Sequence, residues 1–315
     1  MGLWTSDFTD CYLKSLQDYK SFYDDLSEYG NPNTTQNSFY FIPGFNGVPG
    51  QIRFALPSFT KTFGTDFYIR CLYLDEFSAR LPTWEKYSRD TLEKKHSAII
   101  ADLASLSARY DEISVIVNSS GFYDFLAALP LIDGSVRTKL KIAWIACAPD
   151  WAEKTIWEGF FYRINGFEQQ SDRWFAYPNH NWISFINREC SADKKWRYGP
   201  QNKTFFKYDL ESRFYCTGML WAYTSVSLYN WVNAYNIGKA EFPVDIPTVV
   251  LVAEKDGYWS GKSEAEIATV INRYLTRSEV LFRDATHLWV TVPENLTAAL
   301  ERLRRLPAAG PRGNS

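Results

Sequence analysis

Residues 115–122 read Val-Ile-Val-Asn-Ser-Ser-Gly-Phe, and the segment YDFLAALPLI follows directly. The apolar, mostly β-branched residues within 113–117 predict a short buried strand. The small polar residues after that strand predict a tight turn. Beyond the turn, apolar side chains recur at helical spacing at Phe125, Leu126 and Leu129. The stretch therefore predicts a strand, a sharp turn that carries serine, and a helix.

A strand, a serine-bearing turn and a helix in this order are typical of a nucleophile elbow, whose strained turn exposes a serine hydroxyl above the strand ends. The consensus G-x-S-x-G is met imperfectly. With Ser119 at its centre, Gly121 fills the downstream position and Val117 replaces the upstream glycine. With Ser120 at its centre, both glycine positions are lost, the downstream one to Phe122. We favour Ser119 and keep Ser120 as the alternative; the plainer interpretation is a turn whose serines only cap the helix.

Composition excludes several classes of protein. The chain has 315 residues, of which 46% are apolar, so it can bury a sizeable core in one large or two smaller domains. The net charge is −2 with both signs mixed, which argues against nucleic acid or an anionic membrane surface as the main partner.

Cysteine usage predicts neither a disulfide framework nor a metal site. There are five cysteines, widely spaced and without a C-x-x-C pair. We interpret them as reduced thiols. No apolar run has the length of a signal peptide or of a membrane span. We therefore expect a cytoplasmic protein without a metal, a cofactor or a membrane span.

Strands and helices alternate along most of the chain. A helix is predicted over residues 7–28. Strands are predicted at 39–42, 67–74, 113–117, 140–147, 248–253 and 279–282, and helices at 84–110, 263–275 and 295–306. The strands are nearly continuous apolar runs, which predicts a mostly parallel sheet covered by helices on both faces, the α/β class. The alternation stops after residue 150 and resumes near 247, and the segment between is polar but rich in aromatic residues.

Two later strand ends carry further candidates for chemistry. Asp256 follows the strand at 248–253, and His287 follows the strand at 279–282. The carboxyl ends of parallel strands share one edge of a sheet, so we expect Ser119, Asp256 and His287 to lie near each other. The serine needs a base, and the base needs a carboxylate that fixes its tautomer. The other two histidines are less favourably placed: His96 falls in a long helix with a polar face and His180 in the aromatic segment.

Four strings together resemble the α/β-hydrolase superfamily. FIPGFNG is similar to its oxyanion loop, VNSSGF to its elbow, IPTVVLVAEKDG to its acid-bearing strand and DATHLWVTVPE to its histidine loop. The resemblance implies an α/β-hydrolase core at residues 1–150 and 243–306, a largely helical cap at 151–242 and a disordered tail at 307–315. It also implies a catalytic triad.

The resemblance assigns oxyanion roles to backbone N–H groups. Gly44 and Phe45 match the loop whose backbone N–H faces the reacting carbonyl. The second N–H donor belongs to the residue after the nucleophile, which is Ser120 if Ser119 attacks and Gly121 if Ser120 attacks. Some members of the superfamily carry the acid one strand earlier, so Asp150 is an alternative to Asp256.

The position of the predicted cap implies that its aromatic side chains line a substrate pocket, although most such residues fill a helical core. The candidate substrate-binding residues are Gly44, Phe45, Asn46, Trp157, Phe161, Trp221 and Trp289.

The resemblance implies a serine hydrolase that acts on a small-molecule hydrophobic substrate, an ester or thioester with a bulky hydrophobic or aromatic acyl part. Three alternatives stay open. Two use the same scaffold: a biosynthetic acyltransferase or thioesterase, and a hydrolase of carbon–carbon bonds. The third is a binding protein without catalytic activity, which the imperfect elbow keeps open.

Overall fold

One sheet organises the protein. The structure is a computed structural model, and it describes residues 28–33, 35–44, 52, 55–73, 89–119, 121–147, 244–254, 256, 259, 261–285 and 293–310. The strands in these ranges are β1 (Glu28–Gly30), β2 (Ser38–Ile42), β3 (Tyr68–Cys71), β4 (Ile113–Asn118), β5 (Leu140–Ile145), β6 (Thr248–Ala253) and β7 (Ser278–Arg283). They form a single seven-stranded sheet in the order β1-β3-β2-β4-β5-β6-β7.

Helices connect and cover the strands. The described helices are α1 (Leu56–Phe63), α2 (Arg89–Ser107), α3 (Gly121–Ala128), α4 (Gly134–Arg137), α5 (Glu264–Tyr274) and α6 (Pro293–Arg305). A 3₁₀ turn at Leu129–Leu131 extends α3. Local sequence explains where α5 begins: the Ser263 hydroxyl accepts from the Glu266 N–H, and the Glu266 carboxylate accepts from the Ser263 N–H, which satisfies two helix-end donors.

Because most neighbouring strands are parallel, the turns that follow them lie at the same edge of the sheet. β1 pairs with β3 antiparallel, and every other neighbouring pair is parallel. β5 pairs with β6 through partners such as Ile142 and Thr248. The predicted insertion at 151–242 falls between these two strands and lies outside the described residues. The segments before and after it thus belong to one sheet.

The sheet is covered on both faces, as the sequence predicts. One apolar cluster packs Ile99 and Leu103 of α2, Phe125 of α3 and Ile271 of α5 against one face. The other cluster packs residues of α1 and α6, such as Phe59 and Leu300, against the opposite face. Burial on both sides explains why β5 and β6 are nearly continuous apolar runs. The predicted fold class is confirmed.

Three local expectations need correction. Glu28 was expected to end a helix over 7–28, but it begins β1; residues 1–27 lie outside the described part. α1 was not predicted, because its eight residues LPSFTKTF are too short for a clear periodicity. The tail was expected to be disordered from 307, yet Ala309 and Gly310 donate backbone hydrogen bonds to the carbonyls of Leu140 and Thr138.

None of the described helices is both long enough and apolar enough to cross a bilayer.

Candidate active site

Ser119 occupies a strained turn between β4 and α3. Its φ is 48°, in the left-handed region that residues other than glycine rarely adopt. The Ser119 N–H donates to the Ile145 carbonyl at 2.7 Å, which continues the ladder between β4 and β5 into the turn. The residue is partly exposed. Such strain persists only where the surroundings enforce it, and it is typical of functional sites.

Two glycines allow the turn to approach the end of β2. A Cβ on Gly121 would lie 2.6 Å from the Pro43 carbonyl oxygen and 2.7 Å from that of Ile42. A Cβ on Gly44 would lie 2.8 Å from the Asn118 carbonyl oxygen. No real side chain is accommodated at these distances, so both glycines are required by close approach of backbone.

The close approach at Gly121 helps to decide whether Ser119 or Ser120 is at the centre of the elbow consensus. Gly121 lies two residues after Ser119, where the elbow consensus has its downstream glycine. Val117, in the upstream position, is fully buried in the core at the end of β4, so a branched side chain is accommodated there. Phe122 is also fully buried. The required glycine therefore fits the register centred on Ser119.

Asp256 lies just beyond β6, at the edge of the sheet where Ser119 follows β4. It is 4% exposed. Its N–H donates to the Ala253 carbonyl at 3.1 Å, and its carbonyl accepts from the Trp259 N–H at 2.9 Å. The Trp259 indole in turn donates to the Cys147 carbonyl at 3.0 Å, which ties this turn to the end of β5.

The expected histidine follows β7 in the sequence. β7 runs parallel to β6, so the segment after Arg283 begins at the same edge as Asp256. Ala285 is buried there, and its N–H donates to the Arg283 carbonyl at 2.7 Å. His287 itself lies outside the described residues. The same holds for Phe45, Asn46, Ser120, Asp150, Trp157, Phe161, Trp221 and Trp289.

A buried cluster of titratable side chains, Lys95, His96 and Asp124, lies beneath the elbow. Asp124 is in the first turn of α3, and Lys95 and His96 face it from α2. The Lys95 ammonium forms an ion pair with one Asp124 carboxylate oxygen. The other carboxylate oxygen lies 3.7 Å from His96 Nε2. All three side chains are less than a tenth exposed.

The charge of Asp124 follows from opposing effects on its pKa. Burial acts to raise the pKa of Asp124, but the charge of Lys95 and the contact with His96 outweigh it and hold that pKa below its ordinary value. The negative charge also lies near the N-terminus of α3, where the helix dipole favours it. The elbow helix is thus fixed to α2 by a buried ion pair, which the sequence did not indicate because its members are far apart in the chain.

Among the described residues, no group of three or more His, Cys, Asp or Glu side chains is arranged to hold a metal ion.

Comparison with known proteins gives structural neighbours only. No protein-family profile and no curated sequence matches the chain. The Cif epoxide hydrolase from Acinetobacter nosocomialis aligns with a TM-score of 0.55 at 15% identity, over 88% of this chain and 84% of that one. An epoxide hydrolase from Vigna radiata aligns with a TM-score of 0.53 at 11% identity, over 88% and 92%.

A third solved structure, of an epoxide hydrolase variant from Bacillus megaterium with its product, aligns with a TM-score of 0.52 at 13% identity, over 89% of this chain and 95% of that one. At such identities the likeness concerns the fold.

Proposed function

We propose that this chain, which has the α/β-hydrolase fold, is a serine hydrolase that cleaves an ester or thioester with a bulky hydrophobic or aromatic acyl part. In this proposal Ser119 is the nucleophile, His287 the base and Asp256 the acid that orients it. Backbone N–H groups of Phe45 and Ser120 stabilise the oxyanion.

The observation that carries the proposal is the conformation of Ser119. A serine with φ of 48° at the junction of a parallel strand and a helix is costly to keep. A turn that served only to cap α3 would not need that strain, because ordinary capping residues have extended backbone angles. A nucleophile does need it, because the strained turn lifts the hydroxyl above the strand ends.

Each proposed group has a defined step. His287 takes the proton of the Ser119 hydroxyl while the oxygen attacks the carbonyl carbon, and the resulting oxyanion is held by the two N–H groups. The carbon–oxygen or carbon–sulfur bond to the leaving group then breaks, and the histidinium gives its proton to that group. Water, deprotonated by His287, attacks the acyl-enzyme, and the proton returns to Ser119.

Epoxide hydrolysis, which the names of the structural neighbours describe, is not proposed for this chain. A serine that opened an epoxide would form an ether, which has no carbonyl for water to attack. The enzyme would then stay alkylated after one turnover. An ester or thioester instead gives an acyl-serine, which water can hydrolyse.

Reaction with a fluorophosphonate probe tests the proposal. The probe phosphonylates an activated serine with loss of fluoride, which intact-mass measurement detects. One adduct on folded protein supports an activated serine. No adduct favours the binding-protein alternative.

The acyl preference is proposed from the aromatic content of residues 151–242, which lie outside the described part. Transfer of the acyl group to an alcohol, amine or carrier instead of water remains the closest variant, since both share the acyl-enzyme. Product analysis with and without added acceptor alcohols separates them.

A further inference from the structure

The backbone N–H and C=O of Ser119 both form hydrogen bonds with consecutive residues of β5. The Ser119 N–H donates to the Ile145 carbonyl at 2.7 Å. The Ser119 carbonyl accepts from the indole Nε1–H of Trp144 at 3.1 Å. A weaker contact at 3.4 Å joins the Phe122 N–H to the same carbonyl. A side chain from the neighbouring strand thus donates a hydrogen bond to the carbonyl of the proposed nucleophile.

The indole that makes this contact is itself fixed. Trp144 is fully buried. Its ring stacks on Phe122 in the first turn of α3, with centroids 3.8 Å apart and planes inclined by 19°. Stacking on one face and core packing around the rest leave the indole little freedom to turn. Its N–H is consequently aimed at one place, the carbonyl of Ser119.

That carbonyl belongs to the peptide unit that also contains the next N–H of the chain. A trans peptide is planar, with its C=O and N–H pointing in opposite directions. A donor that fixes the Ser119 carbonyl thereby fixes the plane of this peptide unit, and with it the direction of the following N–H. This N–H is the one proposed above as an oxyanion donor.

We propose that Trp144 is a positioning residue for catalysis, which orients the oxyanion-stabilising amide through its hydrogen bond to the Ser119 carbonyl. The inference rests on the proposed function, because it assumes that Ser119 is the nucleophile. It adds a residue that touches neither substrate nor reacting atoms. Stabilisation of an oxyanion depends on donors that are already aimed before charge develops.

The variant that isolates the hydrogen bond is replacement of Trp144 by β-(3-benzothienyl)alanine. Sulfur takes the place of the indole N–H, so the shape and the stack on Phe122 are kept while the donor is lost. Trp144→Phe is the simpler second variant, at the cost of a small cavity. Tyr40→Phe is the matched control: it removes one buried side-chain donor on the same sheet, the 3.0 Å hydrogen bond to Asp102.

Two measurements are made on each protein: the second-order rate of fluorophosphonate labelling, and kcat and KM for p-nitrophenyl octanoate and its thionoester. Sulfur accepts hydrogen bonds weakly, so the thionoester gains less from the oxyanion donors.

Both Trp144 variants should label about tenfold to a hundredfold more slowly, within the loss expected when one donor is impaired. Their kcat for the ester should fall with KM unchanged, and the ratio of ester to thionoester kcat should fall too.

A labelling rate and a kcat ratio equal to those of the wild type in the folded benzothienyl variant would overturn the inference. An equal fall of kcat for the ester and for the thionoester in that variant would also overturn the inference, because it would indicate that Trp144 has a structural role only. The Tyr40→Phe protein should keep the wild-type ratio. If the wild-type protein forms no adduct at Ser119, the proposed function fails first, and that result is distinct from the others.

Discussion

Gly121 lies directly against Pro43: a Cβ on Gly121 would be 2.6 Å from the Pro43 carbonyl oxygen. The helix that follows the proposed nucleophile therefore meets the end of β2 backbone to backbone. The contact explains why the one glycine retained from the elbow consensus is the downstream one. It also predicts the effect of adding a single methyl group.

Gly121→Ala should displace the turn, because the added carbon meets two backbone oxygens that cannot rotate away. We expect a lower melting temperature and a large loss of fluorophosphonate labelling. Gly134→Ala is the matched control, since a Cβ there meets nothing within 4 Å and lies in another short helix. Thermal unfolding and labelling rate check both. Normal labelling by Gly121→Ala would show that the close approach does not constrain the elbow.

Asp256→Asn should lower turnover by about 10⁴, because the proposed histidine would lose the group that fixes its tautomer. The free energy of unfolding should change far less than turnover. Asp150→Asn is the informative comparison, as Asp150 is the rival acid. Steady-state kinetics of both variants decide between them, and a large loss in Asp150→Asn alone would move the acid to the earlier strand.

Asp124→Asn should destabilise the protein by about 3–5 kcal/mol, because it leaves the buried Lys95 ammonium without its counter-charge. Replacing both, as Lys95→Met with Asp124→Leu, should cost much less. Asp111→Asn is the control, since Asp111 is fully exposed in its pair with Lys139 and should contribute little. Urea unfolding gives each value. Equal losses in the single and double variants would contradict the account.

The same carboxylate predicts a pH dependence. The folded-state pKa of Asp124 lies below its unfolded value, so its contribution is complete above the unfolded pKa, about 3.9, and is lost as pH falls through the folded pKa. The stability difference between wild type and Asp124→Asn should thus be smaller at pH 3 than at pH 5. A difference that stays constant down to pH 3 would show that the pKa is not lowered.

Acyl-chain length tests the substrate part of the proposal. Each methylene buried against an apolar lining contributes about 0.8 kcal/mol. The value of kcat/KM for p-nitrophenyl esters should therefore rise from acetyl toward longer or aromatic acyl groups until the pocket is full. A preference for acetyl over every longer group would mean that the aromatic residues of 151–242 form core and not pocket.

The parallel sheet was predictable because its central strands are buried on both faces. Thr248–Ala253 is apolar apart from its first residue, and the predicted strand has the observed bounds. β1 was missed because three residues at a sheet edge, with only Tyr29 apolar, carry no periodic signal. The existence of β1 depends on its antiparallel pairing with β3, a contact between distant parts of the chain.

The candidate site was predictable in part. The order of Ser119 and Asp256 after parallel strands was visible in the sequence. The contact that supports the elbow was not visible in the sequence, where Trp144 is only one residue of a predicted strand. Its indole donates to the Ser119 carbonyl because β4 and β5 are neighbours in the sheet. Lys95 and His96 lie in a helix expected to have a polar face, and only the packing of α2 on α3 turns them toward Asp124.

The most direct test of the central claim is the site of fluorophosphonate labelling. Folded wild-type protein is treated with the probe, its intact mass is measured, and the modified residue is located by tandem mass spectrometry. Ser119→Ala, Ser120→Ala and heat-unfolded wild type serve as controls. We predict one adduct, located on Ser119, absent from Ser119→Ala and from the unfolded protein, and retained in Ser120→Ala. An adduct on Ser120, or no adduct on the folded protein, would contradict the account.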